Sequence, residues 1–191
     1  KIRNDQVRSD IETNWIPISN AIRAVKDFVY GKTLMRTDKT LVTYQSLVPA
    51  VYFYYKHPDK WTASQGVIHD YLLRTSLGRA FSGSPDSMID AIVEIIRQNG
   101  TFDQKEIYGA IREANRSLEI TEESLLNLSY WDKEIHLLFS IWYGFNYQPA
   151  LKGNAPQLDH IFPQSVLKKI RVPNPETGKM NIMKYKWWDQ D

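Results

Sequence analysis

The sequence predicts a mainly α protein, a multi-helix bundle followed by a loop-rich C-terminal segment. Two observations carry this. Apolar residues recur at spacings of three and four up to about residue 143, the period of a helix with one buried face. From Asn146 that period disappears, and Pro149, Gly153, Pro156, Pro163, Pro173, Pro175 and Gly178 punctuate the chain. The expected division is a helical domain over 1–145 and a second domain over 146–191.

The first helix is marked by Ile11, Trp15, Ile18, Ile22, Val25 and Val29. Pro17 falls within the stripe and is expected to kink or restart it. Gly31-Lys32-Thr33 resembles the end of a phosphate loop, but Lys26 stands where that loop needs glycine, so no nucleotide site is expected there. A second helix is expected over 43–56, with Leu47, Val48, Val51, Tyr52 and Tyr55 on one side and His57-Pro58 ending it. A third, from about Ser64 to Ser76, should bury Val67, Ile68, Tyr71 and Leu72.

Gly78 to Gly83 reads as a connection. Ser84 is the expected N-cap of the next helix, with Pro85 at its first position. That helix should bury Met88, Ile89, Ile92, Val93 and Ile96 and stop at Asn99-Gly100. Thr101 with Gln104 reads as a capping box for a helix carrying Ile107, Ile111, Ala114 and Leu118. Thr121 should cap a short helix through Leu128. A last helix over about Asp132 to Tyr143 should bury Ile135, Leu138, Phe139 and Trp142. Beyond it, an extended segment fits between Asn154 and Pro163, and Met180 onward is expected to re-enter a helix.

The chain holds no cysteine, which excludes disulfides and thiolate-bound zinc and fits a reducing, cytoplasmic setting. No apolar run reaches the roughly 18–20 residues of a membrane span. The start, Lys1-Ile2-Arg3-Asn4-Asp5, lacks an initiator Met and the features of a signal peptide, so a longer parent protein is expected. Net charge is +2 and unevenly spread: 17 Lys/Arg against 18 Asp/Glu in 1–150, but 7 against 4 in 151–191. A basic excess there suits a polyanion, because neutralising phosphates releases counterions; a solvated basic surface reads equally well from the counts.

That basic stretch contains Asp159-His160. A neutral imidazole, with an unperturbed pKa of about 6.5, can take a proton from water. A neighbouring carboxylate is a hard oxygen donor suited to Mg²⁺. By itself an Asp-His pair is a weak signal, since loop histidines more often serve structure. The other histidines read as structural: His57 at a helix end, His69 and His136 within helices. Arg74 and Arg79 flank the Gly78 connection and could touch phosphate, although solvation at the core edge is the plainer reading. Trp187-Trp188 could stack on bases or fill a core.

The run Leu158-Asp159-His160-Ile161-Phe162-Pro163-Gln164-Ser165 resembles the first strand and loop of HNH (His-Me finger) nucleases, and is especially similar to the HNH domain of the RNA-guided CRISPR effector. Two helical stretches, residues 70–84 and Thr43-Tyr44-Gln45-Ser46-Leu47-Val48-Pro49, are similar to the GmrSD-like type IV restriction and phage-defence proteins. The resemblance covers roughly residues 40–191. It implies a helical region followed by an incomplete ββα-metal (HNH) finger. It also implies a cytoplasmic, metal-dependent DNA endonuclease directed at foreign or phage DNA, plain or modified.

By that resemblance Asp159 is a ligand of Mg²⁺, or of another divalent cation such as Mn²⁺, and His160 is the general base. Lys168, Lys169 and Arg171 would meet the DNA backbone. The family's finger is completed by a helix carrying Asn or His. That helix is expected beyond Asp191, with Asn181 the one candidate within the chain. An N-terminal ParB-like, nucleotide-hydrolysing domain is a further expected partner in the same protein, and any nucleotide would bind there. The alternative is a helical module that binds DNA or protein and carries a vestigial nuclease finger.

Overall fold

The computed structural model describes residues 5–129 and 131–144, and the backbone of 171–173 and 180–182. It is mainly helical. The chain divides into two compact units, Lys1–Ala155 and Pro156–Asp191.

In the first unit the opening stripe is two helices, α1 (Asp5–Thr13) and α2 (Trp15–Lys32). Pro17 has no N–H to donate to the Thr13 carbonyl, and its ring crowds that carbonyl, so the helix restarts at Asn14. Ile18 resumes the bonding, donating to Asn14 O at 3.0 Å. The restart moves the buried face. Trp15 and Ile22 are exposed, and Ala21, Val25, Phe28 and Val29 are buried. α1 buries no side chain. Gly31-Lys32 ends α2, and Thr33 Oγ1 donates back to Val29 O at 2.6 Å.

The second expected helix is a 3₁₀ turn, Gln45–Leu47, followed by α3 (Val48–Lys56). Its fully buried residues are Ser46, Pro49, Ala50 and Phe53; of the expected face, Leu47, Val51 and Tyr52 pack half-buried against the core and Val48 is exposed. Ser46, Ala50 and Phe53 keep the helical spacing, but two of the three are small. Larger apolar neighbours at the edge of the face masked it. α4 (Trp61–Leu77) starts three residues before its expected position, after a 3₁₀ turn at Pro58–Lys60. It buries Trp61, Ile68, Tyr71 and Leu72, with Val67 half-buried.

α5 (Asp86–Asn99) buries Met88, Ile92 and Ile96. Ser84 does not cap it. Pro85 occupies the cap position, and its carbonyl accepts from Ile89 N at 2.9 Å. Gly100 ends the helix at φ +61, as a left-handed C-terminal residue should. α6 (Gln104–Glu113) is capped by Asp103, not Thr101: its carboxylate accepts from the N–H groups of Lys105 and Glu106 at 2.9 and 3.1 Å. A charged acceptor two residues nearer the helix also gains from the helix dipole. Ile107 and Ile111 are buried on α6. Leu118 is buried beyond its end.

Thr121 caps α7 (Glu122–Leu126), with Ser124 closing a reciprocal capping box, and the helix stops short of Leu128. α8 (Lys133–Trp142) is turned by about one residue from the expected face. Glu134 and Leu137 are buried, Ile135 and Leu138 are half-buried, and Phe139 and Trp142 are exposed. The buried Glu134 is paired with an arginine of the body.

The core is rich in perpendicular aromatic pairs, the arrangement that ring quadrupoles favour. Phe102 meets Phe53 at 5.7 Å and Tyr71 at 5.2 Å; Trp61 meets Phe28 and Tyr54 at 5.3 Å each. Buried Tyr71 donates its hydroxyl to Ser46 O at 3.1 Å. Burial pushes that phenol well above its ordinary pKa.

In the second unit, β1 (Arg171–Pro173) and β2 (Met180–Ile182) pair antiparallel. The helix expected from Met180 is therefore a strand at its first three residues. Antiparallel partners satisfy the backbone of such a short segment, which is too brief for a helical turn to sustain itself.

Candidate functional site

Asp159, His160, Lys168 and Lys169, the extended segment between Asn154 and Pro163, and Trp187-Trp188 all lie outside the described residues. Two members of the expected site have a described backbone. Arg171 stands opposite Ile182, and Asn181 stands opposite Val172 in the middle of β2. Asn181 is thus on a strand, whereas the nuclease resemblance draws the completing Asn or His from a helix. Among the described residues, no group of three or more His, Asp or Glu is placed to hold a metal ion.

The histidines of the first unit hold structural positions. His57 ends α3, its N–H donating to Phe53 O at 2.8 Å and its ring tilted against Phe53 at 5.7 Å. His69 Nδ1 lies 3.7 Å from Asp70 Oδ1, closer than their divergence along a helix suggests, yet Asp70 is exposed. His136 has its pKa lowered by partial burial and then by the charge of Lys39.

The polar feature that the fold does build is centred on Arg79. Gly78 precedes it, and a Cβ there would stand 3.0 Å from the carbonyls of Arg74 and Ser117, a tight contact that glycine avoids. Arg79 itself sits at φ +54, a left-handed conformation costing roughly 1–2 kcal/mol for a residue with a Cβ. Its N–H donates to Ser76 O at 3.1 Å, and Ala80 N donates to Thr75 O at 3.0 Å.

From this fixed turn Arg79 Nη2 reaches Asp132 Oδ1 at 3.0 Å and donates to Glu134 Oε2 at 3.1 Å. Glu134 is only 6% exposed, a burial that a carboxylate tolerates when it is paired. Asp132 also accepts from Ser129 N at 2.7 Å. That backbone bond, helped by Arg79, holds its carboxyl below the ordinary range. Beside the triad lies a cavity of about 370 Å³, walled also by Val42, Phe81 and Trp131.

Chemically this cluster is a clamp. One guanidinium bridges two carboxylates, an arrangement unlike a proton-sharing acid–base pair. The two carboxylates also engage the guanidinium that a phosphate would need. Sequence reasoning placed Arg79 at the core edge and missed Asp132 and Glu134 as its partners. The available signal was a pair of acids at the start of a helix, which the dipole alone explains. Arg74, the other arginine considered for phosphate, donates to Leu118 O at 3.3 Å. No known protein family matches the chain, and neither a curated protein nor a solved structure does.

Proposed function

We propose that the protein is an HNH-type, metal-dependent endonuclease that cuts DNA, acting in restriction of foreign or phage DNA. The observation that carries this reading is the run Leu158-Asp159-His160-Ile161-Phe162-Pro163-Gln164-Ser165. It lies in a stretch, Lys152 to Lys186, with 7 Lys/Arg against 2 Asp/Glu. His160 takes the proton from the attacking water, a role that an imidazole can fill near neutral pH. Asp159 would hold the cation, and its carboxylate oxygens are the hard donors that Mg²⁺ or Mn²⁺ prefers. When bound, the cation stabilises negative charge on the phosphorane and the leaving oxygen. Lys168, Lys169 and Arg171 position the duplex through its phosphates without reading sequence.

The test is plasmid nicking by the full-length protein, with and without Mg²⁺, on plain and base-modified DNA. His160→Ala should lower cleavage by about 10²–10⁴-fold, the usual worth of a general base, with the helical circular dichroism unchanged. Asp159→Ala should lose activity that excess Mg²⁺ partly restores. Undiminished cleavage by His160→Ala would sink the assignment. A second reading, a helical interaction module, draws on the exposure of Trp131, Trp142 and Tyr143 around α8. DNA or protein retention without any metal-dependent cleavage would favour it.

A further inference from the structure

α8 is ten residues long, a length at which an isolated helix is marginal in water. Its persistence therefore depends on docking. One apolar side chain of that docking is fully buried, Leu137; Ile135, Leu138 and Ile141 are half-buried, and Phe139 and Trp142 face outward. A polar hold is added by Arg79, which reaches across 55 residues of sequence to Glu134 and also to Asp132. Arg79 is presented from a left-handed backbone position that the surrounding turn keeps in place. Without it, Glu134 would be a buried carboxylate with no cation, and water would be its better environment.

We propose that α8 is a releasable strap, latched to the helical body by Arg79 through Asp132 and Glu134. When the latch is lost, α8 undocks while α2 to α6 stay folded. Undocking removes Asp132 and Glu134 from the wall of the 370 Å³ cavity and uncovers Val42 and Phe81 there. α8 is the last described helix before the second unit begins at Pro156. The inference is independent of the nuclease reading.

Hydrogen exchange on the full chain, read by mass spectrometry, tests it. Two variants separate the latch from backbone strain. Arg79→Ala removes the side chain, and Arg79→Gly removes it while accepting positive φ freely. In both, the amides of Leu137–Trp142 should exchange at least about tenfold faster, as expected for a local opening made easier. Those of Ile68–Leu72 and Ile92–Ile96 should keep their protection. Adding Glu134→Gln to Arg79→Gly should recover part of the protection in α8, since the buried side chain is then neutral. Unchanged exchange of α8 in Arg79→Gly would overturn the proposal. So would loosening of α8 and α5 by the same factor, or failure of Glu134→Gln to recover any protection.

Discussion

At the scale of single residues, the acids around Arg79 have a consequence for stability at low pH. The carboxyl of Asp132 is held below its ordinary value of 3.8 by the Ser129 N–H and by Arg79. A carboxyl with a depressed pKa in the folded state contributes stability that is fully present above its unfolded pKa. That contribution is lost as pH falls through the folded value. Urea unfolding between pH 5 and 2 should therefore show a steeper loss below about 3.8 for the wild type than for Asp132→Asn. Equal slopes would mean that Asp132 titrates alike in both states. Glu94 shows how exposed geometry can produce a similar direction. A two-point bond from Arg97, with help from Gln98, lowers it to about 2. Salt and water screen a pair so exposed, and it adds little to the fold.

At the scale of elements, sequence and structure agree where one large aliphatic stripe dominates. Met88, Ile92 and Ile96 in α5, and Ile107 and Ile111 in α6, lie inside as their spacing demands. They diverge where small or charged residues share the core. Ala50 and Ser46 hide the inward face of α3, and Glu134 is buried on α8 beside a partner 55 residues away that no local pattern announces. Caps were misplaced for a similar reason. Thr101 and Asp103 are both good cap residues, and only the path of the turn after Gly100 chooses between them. Asp103→Ala should cost about 1 kcal/mol of stability, measured by chemical unfolding. Thr101→Ala should cost much less. The strand at Met180–Ile182 was illegible because three residues carry no period. Of the proposed site, Asp159 and His160 rest on the likeness of their run to a nuclease finger, and both lie outside the described residues. Spacing alone left them an ordinary loop pair.

At the scale of the whole molecule, the first unit is held by one continuous core. Phe53, fully buried, touches Phe102 and the ring of His57, and Phe102 passes the contact to Tyr71. Helices α3 and α4 and the connection before α6 therefore meet at one aromatic cluster. Phe53→Ala should lower the stability of this unit by about 3–5 kcal/mol, the usual cost of emptying a buried aromatic site. The loss should appear as a single shifted transition for α2 to α6 in thermal unfolding. A mild, local effect would show that the cluster can collapse into the space. By contrast, changes around α8 should loosen only that end of the unit, because so little of it enters the core.

The restart at Asn14 has a practical side. Helix α1 carries Val7 on its surface, places no side chain in the core and is joined to α2 through a proline-enforced break. It is therefore the natural place for a fluorophore or an affinity handle. A dye attached near Asp10 would report on tumbling and assembly without entering the core of the first unit.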